Sequence, residues 1–376
     1  MILQPGTGPV LGDVHLTAAP EHVLWGRLPC AADEPVLEVE PGTAVTVDTI
    51  SHEGILEDQG RDPAAFFGAH GVTEVLADAV ALAASEHPHR FGVDGPHVVS
   101  RPVAVAGAQV GDLLAMTLLD ATPRVPYGVI SNRHGKGVLV GEHPLGGAPV
   151  FSAFATVSED GTHGLLPLTP GAEPTVAFPL RPFLGVMGVA VAGRQRPHSV
   201  PPGRHGGNVD IALLTAGSTL YLPVQADGGL AYVGDPHFAQ GDGEVSLTAM
   251  EASLRATVRL DVVAREDALA RFGELVGPLA ETAEFLVPTG MDEDLDLAVA
   301  DCVRAAVALL QARFGMDPSL AYAYLSAATD FRISQVVDVV KGVHATIRKS
   351  DFENDPAAPR HALRTRRAPA AGPAEP

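Results

Sequence analysis

The segment Gly234-Asp-Pro-His-Phe-Ala-Gln-Gly-Asp-Gly-Glu244 concentrates carboxylates, an imidazole and a primary amide in a short stretch hinged by glycines. In an extended segment alternate side chains project to one side, so Asp235 and His237 can face a common point. A carboxylate oxygen beside an imidazole nitrogen is a partial shell for a zinc-like ion. Glu244 suits two roles, proton acceptor from water or metal ligand, and residue type alone does not separate them. Gln240 both donates and accepts, which matches an amide substrate. Upstream, Gly206-Gly207-Asn208-Val209-Asp210 sets Asn208 and Asp210 toward one side if extended, and its glycines allow close backbone approach. Each feature also has a plain structural explanation: a turn aspartate, a surface histidine, an acid on the wet face of a strand, an Asn/Asp turn. The concentration of these residue types in two nearby segments favours chemistry.

Other patterns carry less. His52-Glu53 begins like the helical zinc motif H-E-x-x-H, but Leu56 stands where the second ligand belongs. His87-Pro88-His89 lies in a charged, proline-broken stretch and reads as loop. Gly217-Ser218 lacks the nucleophile elbow, and neither Cys30 nor Cys302 has the surroundings of a nucleophile. Any hydrolytic chemistry is therefore expected to use activated water rather than a covalent acyl-enzyme. Arg133-His134-Gly135-Lys136-Gly137 reads as a solvated cationic loop that could also cover a site.

The elements that must position these groups are mostly short strands. Residues 35–50 alternate apolar and polar around Pro41-Gly42 and predict a β-hairpin. Residues 67–86 are alanine-rich and predict a helix. Residues 96–121, 174–192, 209–225, 229–233 and 245–264 predict further strands. From about residue 290, Ala300, Val303, Val307, Leu310 and Phe314 recur with helical spacing. Asp317-Pro318 then caps a second helix running to about Ala328. Residues 333–343 fit helix or strand equally. The expected organisation is a strand-rich catalytic part over 1–265, a helical and mixed part over 266–349, and a disordered Pro/Ala-rich tail over 350–376.

The net charge of −20 in 376 residues argues against nucleic acid and anionic membranes, which reward positive charge. Two unrelated cysteines make no disulfide framework, and no segment offers about eighteen uninterrupted apolar residues. With no signal-peptide pattern at residue 1, a cytoplasmic location is expected.

GGNVDIALLTAGSTLYLPV (206–224) followed by GDPHFAQGDGEV (234–245) resembles the central signature of the acetamidase/formamidase family. VLWGRL (23–28), residues 36–50, GPHVVSRPVAVAGAQVGDLL (95–114), RPFLGVMGVA (181–190) and residues 321–338 extend the resemblance over most of the chain. It implies a mainly β (α+β), β-sandwich-like fold with a small C-terminal helical part, and homodimers or larger oligomers. It implies hydrolysis of the C–N bond of small linear amides to carboxylate and ammonia. It also implies a divalent metal, zinc first, with calcium or magnesium as alternatives. Asn208 and Asp210 fall on one family motif, and Asp235, His237, Gln240 and Glu244 on the other. The expected roles are Asp210, Asp235 and His237 as metal ligands and Glu244 as proton acceptor, with Asn208 and Gln240 orienting the amide and sharing oxyanion charge. One departure stands out: Thr49-Ile50-Ser51-His52-Glu53-Gly54 replaces a run that more typically ends in two glycines and a glutamine. If that loop faces the pocket, a lactam, a urea-like amide or a decarboxylation becomes an alternative. His97, just before a matched strand, could then join the ligand shell. A non-catalytic small-molecule binding protein is the reading from a different class.

Overall fold

Two large β-sheets face each other across the main hydrophobic core in this computed structural model, which describes residues 2–352. The tail expected to be disordered lies outside the described residues from position 353 onward. The nine-stranded sheet runs in the order Val14–Leu16, Thr43–Asp48, Leu254–Val263, Leu113–Pro123, Thr219–Pro223, Leu279–Glu281, Phe285–Asp292, Lys341–Arg348 and Asp330–Gln335. Its strands alternate as half-buried strands should. Leu114, Met116 and Leu118 enter the core between the sheets, whereas Leu113 and Ala115 pack beneath the helices on the other face.

The second sheet carries the chemistry-bearing segments side by side. Phe183–Val189 pairs antiparallel with Ala231–Ala239 on one edge and with Gly206–Asn208 on the other. Ala231–Ala239 continues through Met250–Glu251 to Tyr127–Arg133. The two segments singled out from the sequence thus flank one central strand.

Several elements differ from expectation. The predicted hairpin over 35–50 is absent: Leu37–Val39 pairs parallel with Val103–Val105, and Thr43–Asp48 pairs with Leu254–Val263 and Val14–Leu16. Pro41-Gly42 turns the chain from one sheet to the other, and apolar alternation is the same for a hairpin and for such a corner. The helix expected over 67–86 is two short ones, Pro63–Gly68 and Ala77–Ala84, separated by a stretch where Gly71 adopts φ 82°. Within 209–225 only Thr219–Pro223 is strand. The ambiguous segment 333–343 is strand at both ends, the tip of an antiparallel hairpin in which Asp330–Gln335 pairs with Lys341–Arg348 and residues 336–340 make the turn.

The helix Leu295–Phe314 is capped by Asp294 and closed by Gly315 at φ 65°. Pro318–Ala328 follows, with the Asp317 carboxylate accepting from Ser319 and Leu320 N–H groups as its sequence predicts. The longer helix lays Ala298, Cys302 and Ala306, spaced four apart, on the sheet. At Gly290, in the strand Phe285–Asp292, helix and strand backbones come so close that a Cβ would collide with Ala298 O and the Cys302 backbone. Gly290→Ala is expected to destabilise the protein by about 1–3 kcal/mol through overpacking. A urea midpoint matching wild type would show that this contact relaxes freely.

Candidate active site

Gly185 is the point on which the site closes. It lies on the central strand opposite Asp235, with Gly234 pairing Val186 and Pro236 pairing Leu184 on either side. A Cβ added there would stand 2.5 Å from Asp210 Oδ1, 2.6 Å from Asp235 Oδ2 and 2.6 Å from His237 Cε1. Only glycine leaves room for these three side chains to meet. The structure therefore brings together the 206–210 and 234–244 segments, and Asp210, Asp235 and His237 are all buried.

Asp235 is surrounded by three imidazoles. His237 Nε2 lies 3.0 Å from Asp235 Oδ2, His52 Nδ1 lies 3.6 Å from Oδ1, and His97 Nε2 lies 3.9 Å from Oδ2. In each ring the other nitrogen is occupied by protein. His237 Nδ1 meets Gln240 Oε1 at 3.0 Å. His97 Nδ1 is 3.2 Å from the Ser199 carbonyl and 3.0 Å from its hydroxyl. His52 Nε2 faces Glu53 Oε1 at 3.4 Å. The amide of Gln240 is itself fixed, because its Nε2 donates to the carbonyls of Asp210 and Ser334 at 2.9 and 3.2 Å. Its oxygen is thus the atom turned to His237, so Nδ1 carries a proton and Nε2 faces Asp235 and, at 3.1 Å, Glu251 Oε1.

Burial would lower His52, but Asp235, Glu251 and Glu53 outweigh it and hold the ring at about 10. Burial would likewise lower His237, and Glu251 and Asp235 raise it well above its usual value. His97 is instead pushed down to about 4 by burial, aided by the neighbouring His52 and His237, and is neutral. Burial opposes ionisation of Asp235, yet the charged His237 and the contacts from His237 and His52 hold it well below the carboxylate range.

Around Asp235, three buried atoms able to ligate a metal have no hydrogen-bond partner: His52 Nδ1, Asp235 Oδ1 and Glu251 Oε2. His52 Nδ1 lies 3.6 Å from the first oxygen and 3.9 Å from the second. Donors bound to one zinc ion at its usual bond lengths stand about 3.4 Å apart at a tetrahedral edge. One donor atom from each of His52, His97 and Asp235 falls within a 4.8 Å grouping, as do Asp235, His237 and Glu251, and Asp210, His237 and Glu244. The residues present fit a divalent ion.

Behind this cluster Asp210, Glu244 and Asp338 form a buried acidic group. Burial raises Asp210, with Glu244 and Asp338 adding to it; burial and Asp338 raise Glu244 in the same way. Asp338 is raised to about 7, chiefly by burial and then by Asp235 and Glu251, against a lowering contact from Asp210. Asp210, Asp235 and Glu244 all hold left-handed backbones, at φ 45°, 51° and 48°, which non-glycine residues rarely adopt. Both Asp210 oxygens and Asn208 Oδ1 are buried without partners.

Of the residues expected to act, Asn208, Asp235 and Glu244 line a cavity of about 1730 Å³, joined there by His52, His97, Glu251, Asp338 and Arg133. Gln240 does not line it, since every polar atom of its amide is engaged with protein. Glu251 and Asp338 were not singled out from the sequence. Glu251 is a lone acid in an apolar run, and Asp338 sits in the segment of ambiguous structure. His52 was set aside for lacking a helical partner; the signal that marks it is the departure from the family run. Arg133, read as a solvated loop cation, is buried and forms an ion pair with Glu53, which also accepts from Gln59. These contacts place Glu53 behind His52.

Residues 84–196 and 190–350 match the profile of the Acetamidase/Formamidase family. A formamidase from Methylophilus methylotrophus is 26% identical over 305 residues, 65% of this chain and 74% of that protein. An acetamidase from Mycolicibacterium smegmatis is 28% identical over 203 residues, 40% of this chain and 49% of its own length, so the match spans about half of that relative. The solved acetamidase from Yersinia enterocolitica superposes with a TM-score of 0.70 at 24% identity, covering 92% of this chain and 94% of that one.

The acidic group makes a sign-specific prediction. Asp338 keeps its proton to about pH 7 when folded, whereas an unfolded aspartate releases it near 3.8. The folded state thus binds more protons between those values, and its stability falls as pH rises through them. Asp338→Asn removes that loss. In chelator-treated protein, the stability of the variant relative to wild type should rise by at least about 1 kcal/mol between pH 5 and pH 8. Urea unfolding showing the same difference at both pH values would contradict the raised carboxyl.

Proposed function

This chain belongs to the acetamidase/formamidase family, and from that membership we propose that it hydrolyses carboxamides to carboxylate and ammonia at the Asp235 cluster with a bound divalent ion. The observation that carries the metal reading is the set of orphaned, buried donor atoms on His52, Asp235 and Glu251, with a neutral His97 alongside. Two imidazole nitrogens with a carboxylate favour zinc over calcium or magnesium, which prefer oxygen. His52, His97 and Asp235 would hold the ion, with the cavity leaving a position open to water or substrate. The backing of His52 by Glu53 and of His97 by Ser199 is the outer-shell support that ligating histidines use.

When bound, such an ion lowers the pKa of water and polarises a carbonyl. The protein's own groups do the rest. Glu244, buried beside the cavity with its affinity for protons raised, takes the proton from the attacking water and delivers it to the departing nitrogen. That delivery is needed because an unprotonated amide nitrogen is a poor leaving group. Asn208 reaches the cavity and can hold the amide through its NH2 or C=O. His237 clamps Asp235 and Glu251, and Gln240 sets which ring nitrogen it uses, so Gln240 positions the site without touching substrate.

The assignment of Asp210, Asp235 and His237 as the ligands is the second reading, favoured by the way all three converge on Gly185. Metal content separates the two. His52→Ala and His97→Ala are expected to lose most of the bound zinc while Asp210→Asn retains it; the reverse pattern would install the second reading. Chelation should reduce ammonia release at least about 100-fold, with recovery on adding zinc, and unchanged turnover after verified metal removal would end the metal role. Glu244→Gln should lower kcat at least about 100-fold with metal content intact, as loss of a proton-transfer group does.

A further inference from the structure

We propose that the substrate of this chain is a primary amide whose acyl group is a large apolar chain or ring, with only the amide reaching the buried polar floor. This rests on the amide-hydrolase reading above. Volume is the first ground. The cavity measures about 1730 Å³, whereas formamide or acetamide displaces on the order of 100 Å³, a few times the share of one liquid water. The second ground is the division of the lining. Leu56, Val138, Val200, Leu247, Phe331 and Val336 supply apolar lining, beside the polar Asp235 cluster and charged groups that include Lys136, Arg332 and Lys341.

The mouth continues this character. Phe91, Val138, Val140, Val245 and Val339 line it and are 47%, 49%, 72%, 62% and 58% exposed. Exposed apolar side chains bordering a cavity that also holds buried polar groups are the pattern of a ligand site rather than of scattered surface residues. The walls are also stitched together. Val138 N–H donates to Val245 O at 2.9 Å, Gly243 N–H to Ser334 O at 3.1 Å, and Val336 N–H to Gly243 O at 3.2 Å. Three separate segments are therefore fixed against one another before any ligand arrives. Leu247 and Val339 hold φ of 114° and 68°, conformations that bulky side chains avoid unless their surroundings impose them. A wall built this way holds apolar surface open over the catalytic floor, and an apolar acyl group is what such a surface removes from water.

Ammonia release from the zinc-loaded full-length protein over acetamide, butyramide, hexanamide and phenylacetamide tests this. Because each methylene in an apolar pocket changes selectivity roughly 10-fold or more, kcat/KM for hexanamide or phenylacetamide should exceed that for acetamide at least about 100-fold. Val138→Glu, and Val336→Glu as an independent change on another segment, should each cut the hexanamide-to-acetamide ratio at least about 10-fold. Preference for acetamide would overturn the inference and leave the amidase reading standing. No ammonia from any amide would remove the amidase reading and the inference with it. An unchanged ratio in both folded variants, with an altered solution mass, would show the mouth to be a contact between copies of this chain and defeat the proposal.

Discussion

Asp235 is ionised, buried and bordered by three imidazoles, and the rest of the site follows from keeping it so. An isolated carboxylate in the interior would take up a proton instead, because desolvation strongly disfavours the charged form. Here each ring turns one nitrogen to Asp235 and gives the other to protein: His237 to Gln240, His97 to Ser199, His52 to Glu53. Those outer partners are held in turn, Gln240 by two backbone carbonyls and Glu53 by Arg133 and Gln59. His52, Asp235 and Glu251 still present unbonded buried atoms, which a divalent cation could engage in place of protons. The fit to a divalent ion thus belongs to the cluster as a whole rather than to any one residue.

The scaffold meets this requirement with sheet register. Three antiparallel neighbours carry Gly185, the Asn208–Asp210 end and Asp235 with His237, so segments far apart in sequence stand one strand spacing to either side of Gly185. A strand normally sends neighbouring side chains to opposite faces. The left-handed backbones at Asp210, Asp235 and Glu244 break that rule locally and re-aim three acids toward one volume. Such conformations each cost on the order of 1–3 kcal/mol and survive only where surrounding structure fixes them. Gly185 supplies the space, and the packed inter-sheet core beneath supplies the rigidity.

How much of this could be read from the chain depended on whether a local pattern had one structural meaning. Asp235 and His237 were legible because they stand two residues apart in one strand-forming run, although the left-handed backbone at Asp235 was not. Asp317 capping its helix was legible because the cap is local. The 35–50 hairpin failed because alternation reports burial on one face and says nothing about which strand comes alongside. Glu251 and Asp338 were invisible for a related reason: a single acid in an apolar stretch reads as a wet face until tertiary pairing buries it. His52 was judged by a helical metal-site rule, although its segment is a turn after the strand Thr43–Asp48. The pattern that marked it was the replacement of a typically glycine-rich run by His52-Glu53.

That replacement bears on what the site can accept. Glycines at such a position would leave backbone and open space beside Asp235. His52 instead places a nitrogen 3.6 Å from the carboxylate and, through Glu53 and Arg133, ties the floor to the loop that continues into Lys136 and Val138 at the cavity wall. The same buried ion pair therefore serves two ends. It fixes the ring nitrogen that faces Asp235, and it anchors the segment whose apolar residues border the opening. A change at Glu53 would consequently reach both the polar floor and the cavity wall. In this chain, the buried polar cluster and the cavity wall are mechanically joined through one guanidinium–carboxylate contact.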